Sequence, residues 1–303
     1  MLQTIIIGID GRPQDAEALA LAHRLADPGA EIIATSVAVI EALMVRAATR
    51  TGVGDVEADA ELVVEEFTEP RVRTEGIVTR ARSVGRGLAR VARGASADLI
   101  VVASSRRGAL GRTFAGDSVR DVLRHAPCPV AVAPVGYAAE GPISTIVVGY
   151  DGSKESDLAL HGAVAIAQRD SGRVNVVEVV EPFVAITALG GEGGREIDAE
   201  YDRARTNLDK IATQYDLHGV IASGHAATEL ARSSRDADLL CIGLHEHGVL
   251  DRLMLGSTAH ALLREQSAPL LISTPHVTDP LDHPAHDGLD SGGSSPPDAT
   301  RIP

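Results

Sequence analysis

The feature that most constrains this sequence is an internal repeat. Residues 4–26 read TIIIGIDGRPQDAEALALAHRLA and residues 145–167 read TIVVGYDGSKESDLALHGAVAIA, and they align without a gap at an offset of 141 positions. In both copies an apolar run ends in Gly-x-Asp-Gly and is followed by a pattern typical of a helix with apolar faces. A repeated strand–turn–helix segment indicates two copies of one structural unit.

A second pair of matching segments lies near the end of each copy. Ala97–Ser118 aligns on Ala237–Thr258 at an offset of 140 positions, and Pro129 and Pro269, which keep that offset, each open a final apolar run. The offset changes by only one residue between the two pairs of segments. The repeating unit therefore spans about 135 residues and occurs twice.

Each copy alternates apolar runs with helical patterns, which predicts βαβ units and a parallel sheet with right-handed crossovers. The predicted fold class is α/β, with two tandem doubly wound domains, each an open five-stranded parallel sheet with helices on both faces. Domain 1 is assigned to residues 1–136 and domain 2 to residues 143–275. Residues 276–303 are rich in Pro, Asp, Gly and Ser, so we predict a disordered C-terminal tail.

The apolar runs and helical patterns give approximate bounds for these elements. In domain 1 the strands are predicted near Thr4–Ile9, Glu31–Val39, Val72–Val78, Leu99–Ser104 and Val130–Ala133, and the helices near Gln14–Leu25, Val56–Glu69, Val84–Arg93 and Gly116–His125. In domain 2 the strands are predicted near Ile146–Tyr150, Val174–Val180, Leu217–Ile221, Leu239–Leu244 and Leu270–Ser273, and the helices near Glu155–Arg169, Glu196–Tyr215, Ala227–Arg235 and Ser257–Glu265.

The last strand of each domain is apolar, and an apolar edge strand needs a partner. We therefore expect Val130–Ala133 to pack against Leu270–Ser273. This contact would join the two domains as an intramolecular pseudo-dimer. A homodimer of the whole chain stays open as a further association.

Charge and hydropathy narrow the classes of partner. A net charge of −14 disfavours nucleic acid and anionic lipid as partners. No apolar run approaches the roughly 20 residues of a membrane span, and the first residues lead directly into a predicted strand rather than a signal peptide. We therefore expect a cytoplasmic protein with no nucleic-acid or membrane partner. Cys128 and Cys241 sit inside apolar runs without metal-ligand spacing, and no metal site is predicted.

A glycine-containing segment follows the fourth predicted strand of each domain. Gly243–Thr258 reads GLHEHGVLDRLMLGST, and Ala103–Ser118 reads ASSRRGALGRTFAGDS. A glycine after a strand and Gly-Ser-Thr at a helix start can present free backbone N–H groups to a phosphate. In doubly wound sheets the ligand crevice lies at the carboxyl ends of the strands. Asp10 and Asp151, which end the first strands, are therefore expected beside these segments.

The paired halves resemble tandem domains of the universal stress protein family over roughly residues 2–275. The resemblance is carried by GIDGR at 8–12, by GYDGS at 149–153, by the glycine-containing segments, and by Cys128-Pro129 and Ala268-Pro269 before the last strands. It implies the fold given above and a regulatory protein that signals through contacts with an unidentified protein partner. It also implies that the crevice binds an adenine nucleotide.

The resemblance can be carried to individual positions. The family's first-strand aspartate lies near the sugar and metal, the end of the second strand lends backbone groups to adenine, and a Gly-x2-Gly-x9-Gly-Ser/Thr pattern holds the phosphates. The implied ligand residues of domain 2 are Asp151, Val179, Gly243, Gly256, Ser257 and Thr258. Those of domain 1 are Asp10, Val37, Gly116 and Ser118. The implied cofactor is ATP, with Mg²⁺ as a candidate companion ion.

Both domains depart from this pattern, domain 1 more than domain 2. Domain 1 has Ala103 and Arg106 at the glycine positions, and Asp117 follows Gly116. Domain 2 keeps three of the four features, because only Glu246 replaces a glycine. Domain 2 is therefore the predicted main site. Glu246 could repel the phosphates, share a Mg²⁺ with them or face solvent, and the sequence does not choose among these.

The sequence offers no set of catalytic residues. It contains neither the GxxxxGK[ST] phosphate loop nor a Gly-x-Ser-x-Gly nucleophile turn. We predict a protein that is not an enzyme, with slow ATP hydrolysis as the upper limit. The alternative function is a stress-response scaffold of the same fold that binds no nucleotide. Arg106, Asp117 and Glu246 are the residues that favour this alternative.

Overall fold

Eleven strands in the described residues form one sheet, and helices cover both of its faces. The computed structural model describes residues 2–39, 74–104, 117–181, 193–244, 256–265, 268–274 and 299–302. The strands are β1 Thr4–Ile9, β2 Glu31–Val39, β3 Thr74–Ala81, β4 Leu99–Ala103, β5 Val130–Ala133, β6 Thr145–Gly149, β7 Arg173–Val180, β8 Gly219–Ser223, β9 Leu239–Gly243, β10 Leu270–Ser273 and β11 Ala299–Ile302. The helices are α1 Asp15–Leu25, α2 Val84–Gly94, α3 Asp117–His125, α4 Lys154–Asp170, α5 Gly193–Tyr215, α6 Ala226–Ser233 and α7 Ser257–Glu265.

The order of the strands shows the repeat directly. The sheet runs β11-β3-β2-β1-β4-β5-β10-β9-β6-β7-β8. Neighbours within β1–β5 are parallel, and so are neighbours within β6–β10. Each domain therefore contains a doubly wound, five-stranded parallel sheet with its first strand at the centre. The predicted α/β fold class is confirmed.

The two domains meet where β5 pairs with β10. The pairing is antiparallel and places Leu271 opposite Ala131. All four residues of β5 are fully buried. The predicted contact between the last strands is confirmed. Because the pairing is antiparallel, the parallel strands of one domain run in the opposite direction to those of the other. The carboxyl ends of the strands in the two domains, and the crevices that form there, therefore lie on opposite sides of the molecule along the strand direction.

Several element bounds differ from the predictions by a few residues. β1, β2, β5 and β10 have the predicted bounds, because each is an apolar run enclosed by turn residues. β3 is displaced toward Ala81, and α5 begins at Gly193 rather than at Glu196. The predicted helix near Val56–Glu69 lies outside the described residues.

The C-terminal tail is not wholly without structure. β11 pairs antiparallel with β3, with Ala299 opposite Thr79 and Ile302 opposite Gly76. The prediction of disorder for residues 276–303 included these four residues, which here pair as a strand. The physical reason is that a strand at the edge of a sheet carries unpaired backbone N–H and C=O groups, which a short segment of almost any composition can satisfy.

Two apolar cores lie on the two faces of the sheet, and each extends through both domains. Along β1, Ile5 and Ile7 enter one core and Ile6 enters the other. In β6 the corresponding residues, Ile146 and Val147, divide in the same way. Full burial of such a side chain contributes about 1.5–3 kcal/mol relative to its exposure. The strands read as continuous apolar runs because both of their faces are buried.

The repeat extends to the polar contacts that hold the first strand of each domain. Asp98 Oδ2 accepts a hydrogen bond from the Thr4 N–H at 2.9 Å. Asp238 Oδ2 accepts one from the Thr145 N–H at the same distance, 2.9 Å. These matching contacts place the first and fourth strands of each domain in the same register, and therefore bring their carboxyl ends together.

Candidate functional site

A cavity of about 600 Å³ lies at the carboxyl ends of the domain 2 strands. This volume is within the range of about 300–1,000 Å³ that is common for ligand pockets. Its lining includes all six residues that the sequence implied for this domain: Asp151, Val179, Gly243, Gly256, Ser257 and Thr258. Residues separated by more than 100 positions in the sequence therefore share one crevice. The apolar part of the lining includes Val177, Val179, Leu230, Ile242 and Leu244.

Gly243 is required by the packing of the protein itself. A Cβ atom at this position would lie 2.4 Å from the backbone carbon of Glu155 and 2.5 Å from the backbone nitrogen of Ser156. The end of β9 thus passes directly over the first turn of α4, and any larger residue would push the two apart. The glycine lines the cavity, but its close approach is to a helix of the same chain.

Asp151 occupies a tight turn at the end of β6. Its Oδ1 atom accepts a hydrogen bond from the Ser153 N–H at 3.0 Å. Gly152 has a φ angle of +80°, which favours glycine. Ser153 then caps α4, because its hydroxyl accepts a hydrogen bond from the Ser156 N–H at 3.1 Å. The Asp-Gly-Ser sequence therefore has a structural role, and the exposed Asp151 also lines the cavity.

The start of α7 forms another wall of the domain 2 cavity. The first hydrogen bond within this helix runs from the His260 N–H to the Gly256 carbonyl oxygen at 3.0 Å. The backbone N–H groups of Ser257 and Thr258 precede it and have no acceptor within the helix. A Cβ atom at Gly256 would have no neighbour within 4 Å among the described residues. Open space and helix N–H groups therefore coincide where a phosphate is expected.

Glu181 is a lining residue that the sequence interpretation missed. It follows β7, and its Oε1 atom accepts a hydrogen bond from the Ala226 N–H at 2.6 Å. A carboxylate at the start of α6 is stabilised by the helix dipole. The signal in the sequence was Glu181-Pro182 directly after an apolar run, which marks a polar residue at a strand end.

A second, smaller cavity of about 280 Å³ lies at the carboxyl ends of the domain 1 strands. Asp10, Val37 and Ser118, which the sequence implied, are part of its lining. Gly116 lies outside the described residues, as do Arg106 and Glu246. Asp10 forms an ion pair with Arg12, with 3.0 Å between Oδ2 and Nη1, and both side chains are about half exposed.

Asp15 is the residue that most distinguishes domain 1, and sequence reasoning did not identify it. Its Oδ2 atom accepts hydrogen bonds from the N–H groups of Asp10, Gly11 and Arg12 at 2.9, 2.7 and 3.2 Å. The side chain is buried and lines the cavity. Burial raises the pKa of Asp15 from 3.8 to about 6, against the lowering effect of the three N–H donors. The repeat places Ser156 at the corresponding position of domain 2.

The raised pKa of Asp15 predicts how stability depends on pH. A carboxyl group whose pKa is higher in the folded chain binds a proton on folding, so stability is lost as the pH rises through the range 4 to 6. Asp15→Asn removes this loss. The variant's free energy of unfolding minus that of the unchanged protein should therefore increase with pH, by up to about 1.4 kcal/mol per pH unit in this range.

Urea unfolding at several pH values between 4 and 7 checks this expectation. The Asp10 carboxylate, which also raises the pKa of Asp15, stays in place in both proteins. Asp202→Asn is the control, because its side chain is 73% exposed. Parallel pH profiles for the Asp15→Asn variant and the unchanged protein would contradict the assigned pKa.

Thr35 is a second residue of the domain 1 cavity that the sequence did not reveal. It is fully buried, and its Oγ1 atom has no hydrogen-bond partner among the described residues. In the apolar run of β2 a threonine is unremarkable, because threonine is common in strands. A comparison of the repeats would have signalled it, since Val177 occupies the corresponding place in domain 2.

Metal sites and membrane spans were sought in the same part of the chain. The described residues contain no group of three or more His, Cys, Asp and Glu side chains placed to hold a metal ion. None of the described helices combines the length and the apolar character that a membrane span requires.

Comparison with known proteins identifies a matching family and several relatives. The model of the universal stress protein family matches twice, at residues 1–134 and 142–273. A universal stress protein of Mycobacterium tuberculosis H37Rv is 28% identical over 190 residues, covering 58% of this chain and 62% of the relative. One from Synechocystis is 27% identical over 183 residues, covering 57% of this chain and 58% of the relative. The chain thus matches less than two thirds of the length of these curated relatives.

Solved structures share the fold over nearly the whole length. A Pseudomonas aeruginosa protein described as functionally unknown superposes with a TM-score of 0.59 at 16% identity, covering 91% of this chain and 93% of its own. A universal stress protein from Archaeoglobus fulgidus superposes with a TM-score of 0.58 at 18% identity, covering 90% and 99%. Identities this low support the fold alone. The two family matches in tandem, together with the repeated sheet, show that the chain belongs to the universal stress protein family.

Proposed function

We propose that the protein is a regulator of the universal stress type that binds ATP, mainly in domain 2, and signals through protein contacts. The observation that supports this function is the domain 2 cavity of about 600 Å³, which all six implied ligand residues line. Membership of the family supports a regulatory role rather than catalysis at high turnover. Under this proposal the ligand joins residues of β6, β7, β9 and α7, and so alters the surface that a partner would contact.

We propose a part of the nucleotide for each wall of the cavity. The apolar side chains of Val177, Val179 and Leu230 would receive the adenine ring. The Asp151 carboxylate would bind the ribose hydroxyls or a Mg²⁺ ion. The phosphates would lie at Gly256–Thr258, because free N–H groups and the positive end of the helix dipole favour anions.

The first test of the proposal is the Gly256→Glu variant. A Cβ atom at this position meets none of the described residues within 4 Å, so the backbone can accept a side chain there. Its carboxylate would occupy the phosphate position and repel the triphosphate. We expect ATP affinity to fall at least tenfold, which corresponds to about 1.4 kcal/mol or more. Isothermal titration calorimetry measures the affinity.

Two control variants accompany this test. Gly256→Ala adds no charge and should change ATP affinity by less than threefold. The matching change in domain 1, Gly116→Glu, should have little effect on ATP affinity. An equal loss from Gly116→Glu and Gly256→Glu would overturn the assignment of the main site to domain 2.

The same titration decides the role of Glu246 when it is run with and without Mg²⁺. If Glu246 repels the phosphates, Glu246→Gly should tighten ATP binding in both buffers. If it shares a Mg²⁺ with them, Glu246→Gly should weaken binding only where Mg²⁺ is present. No binding of ATP below the millimolar range in either buffer, by a folded protein, would refute the nucleotide-sensing function and favour the scaffold function.

A further inference from the structure

The outermost strands of the two parallel sheets, β3 and β8, are equivalent in the repeat. Ile77 of β3 corresponds to Val220 of β8, because the residues opposite them in β2 and β7 both pair with the repeated glycine of the first strand. Gly76–Thr79 of domain 1 therefore correspond to Gly219–Ala222 of domain 2. The two segments are the same part of the same edge in the two copies of the fold.

Among the described residues, only the domain 1 copy of this edge is covered by another strand. β11 pairs with Gly76–Thr79, and Ile77 is 7% exposed. β8 ends the sheet on the other side, where no described strand pairs with its outer edge, and Val220 is 59% exposed. Proteins usually protect an open edge with charged residues or proline. Gly219–Ser223 contains neither, so this edge is free to accept a strand.

The backbone groups that face away from β7 can be identified from one hydrogen bond. The Gly224 N–H donates to the Val180 carbonyl oxygen at 3.0 Å. Alternate residues of a strand direct their backbone groups to the same neighbour. Val220 and Ala222 therefore also face β7. The residues that direct their N–H and C=O groups to the open edge are Gly219, Ile221 and Ser223.

We propose that the outer edge of β8 binds β8 of a second copy of the chain, in an antiparallel register centred on Ile221. In this register every residue that faces the open edge has a partner, because Ile221 pairs with its own copy and Gly219 pairs with Ser223. Each of these pairs can exchange both backbone hydrogen bonds. A two-fold axis relates the two copies, so each contact away from the axis occurs twice. The dimer does not depend on nucleotide binding.

The side chains of β8 fit this pairing. Ile221 would lie beside its copy on one face of the sheet, and Val220 would lie opposite Ala222 on the other face, where it would be covered. Cross-strand pairs of branched apolar side chains stabilise a sheet. No charged side chain of β8 would face a like charge. The net charge of −14 on each chain opposes association, so the dimer should become tighter as the salt concentration rises.

The covered edge of domain 1 limits the assembly to two copies. With β11 on β3, β8 is the open edge of the described sheet, so pairing through β8 leaves no described edge for a third copy. The C-terminal segment of another copy is a weaker candidate for this edge. Transfer of that segment from β3 to β8 would uncover one edge for each edge that it covers, and would gain no net pairing.

Sedimentation velocity of the full-length protein tests the association. A pairing of one strand from each copy is a small interface, so we expect a reversible dimer at roughly 10–100 µM. Val220→Lys should weaken dimerisation at least tenfold, because the two lysines would lie diagonally across the pairing at about 7–8 Å. Val135→Lys is the matched control, since Val135 is also an exposed apolar residue, at 43%, and lies outside β8. Circular dichroism checks that both variants keep the fold.

Cysteine cross-linking tests the register. The Cα atoms of residue 221 in the two copies would be about 5.5 Å apart, within the range of a disulfide. Ile221→Cys should therefore give a reducible covalent dimer on mild oxidation. Ser223→Cys is the control, because its thiol is more exposed but lies about 13 Å from its copy along the strands. The native Cys128 and Cys241 are buried.

Three results would each overturn the proposal. The first is a protein that is still a monomer at about 500 µM in high salt. The second is a dimer whose affinity is unchanged by Val220→Lys, or is lowered equally by Val135→Lys. The third is cross-linking of Ser223→Cys as efficient as that of Ile221→Cys, which would indicate random collision rather than the paired register.

Discussion

Replacement of Arg24 by methionine is expected to lower the free energy of unfolding by about 2–3 kcal/mol, because a hydrogen bond to a charged group contributes about 1.5–3 kcal/mol and the ion-pair partner, Asp238, is 28% exposed. The Arg24 side chain is only 5% exposed, and its Nη2 atom lies 2.7 Å from Asp238 Oδ1. The same guanidinium donates hydrogen bonds to the Tyr137 hydroxyl and to the carbonyl oxygens of Gly141 and Pro142. One side chain of domain 1 therefore binds both domain 2 and residues 137–142, which connect the two domains.

The size of this effect follows from what remains after the substitution. Methionine keeps much of the apolar volume, but Asp238 Oδ1 loses its hydrogen-bond donor and its compensating charge, while Oδ2 keeps the N–H groups of Ser144 and Thr145. Urea unfolding followed by circular dichroism measures the loss. Arg205→Met is the control, because Arg205 pairs with Asp202 on the surface, where the side chains are 69% and 73% exposed. Its effect should stay within about 0.5 kcal/mol, and equal losses from both variants would contradict a special role for Arg24.

Gly85→Ala is expected to destabilise the protein by about 3 kcal/mol, at the upper end of the usual cost of overpacking. Gly85 lies in the first turn of α2, and a Cβ atom there would be 2.1 Å from the backbone carbonyl oxygen of Asp121 in α3. Its N–H also donates to Asp121 Oδ2 at 2.6 Å. Backbone meets backbone at this crossing, so no side-chain rotation can make room. Helices α2 and α3 would have to separate.

Gly162→Ala is the matched control for this prediction. Gly162 is also a helical glycine, within α4, but a Cβ atom there would meet none of the described residues within 4 Å. Alanine is the better helix former by about 1 kcal/mol, so this variant should be more stable than the unchanged protein. Thermal unfolding should therefore show a lower Tm for Gly85→Ala and a higher Tm for Gly162→Ala than for the unchanged protein. A loss of stability from both variants would show that the crossing of α2 and α3 is not the cause.

The consequence of the Gly85 substitution should extend to the domain 1 cavity. Val84 and Leu88 of α2 and Val119 and Val122 of α3 line that cavity, so separation of the two helices would alter its shape. Methyl signals of these residues should shift in the Gly85→Ala variant, whereas those of Val179 and Leu230 in domain 2 should stay in place.

Elements that consist of continuous apolar runs could be predicted from the sequence, because hydropathy alone determines that both faces are buried. β1 and β10 are of this kind, and the register between the two copies of the repeat located the ends of the strands. β11 could not be predicted, because the segment Ala299–Ile302 has no apolar run and becomes a strand only through its pairing with β3.

The candidate site also has some features that could be predicted from the sequence and others that could not. The placement of Asp151, Gly243 and Gly256 at one crevice followed from topology, since parallel strands bring their carboxyl ends together. The need for a glycine at position 243 could not be predicted from the sequence, because the atoms that a side chain there would meet belong to α4, which is distant in the sequence. Asp15 reads in the sequence as an acidic residue near a helix start. Only the folded turn shows that its carboxylate accepts three backbone N–H groups.

The covalent connection of the two domains has a consequence for how their crevices can differ. In a symmetric dimer of identical subunits, every substitution appears in both copies of a site at once. Here a change at Thr35 leaves Val177 as it was, and a change at Asp15 does not reach Ser156. Because β5 and β10 pair antiparallel, the two crevices also lie on opposite sides of the molecule along the strand direction. Two crevices with different linings are thereby supplied in a fixed one-to-one ratio by a single polypeptide, at any concentration of the protein.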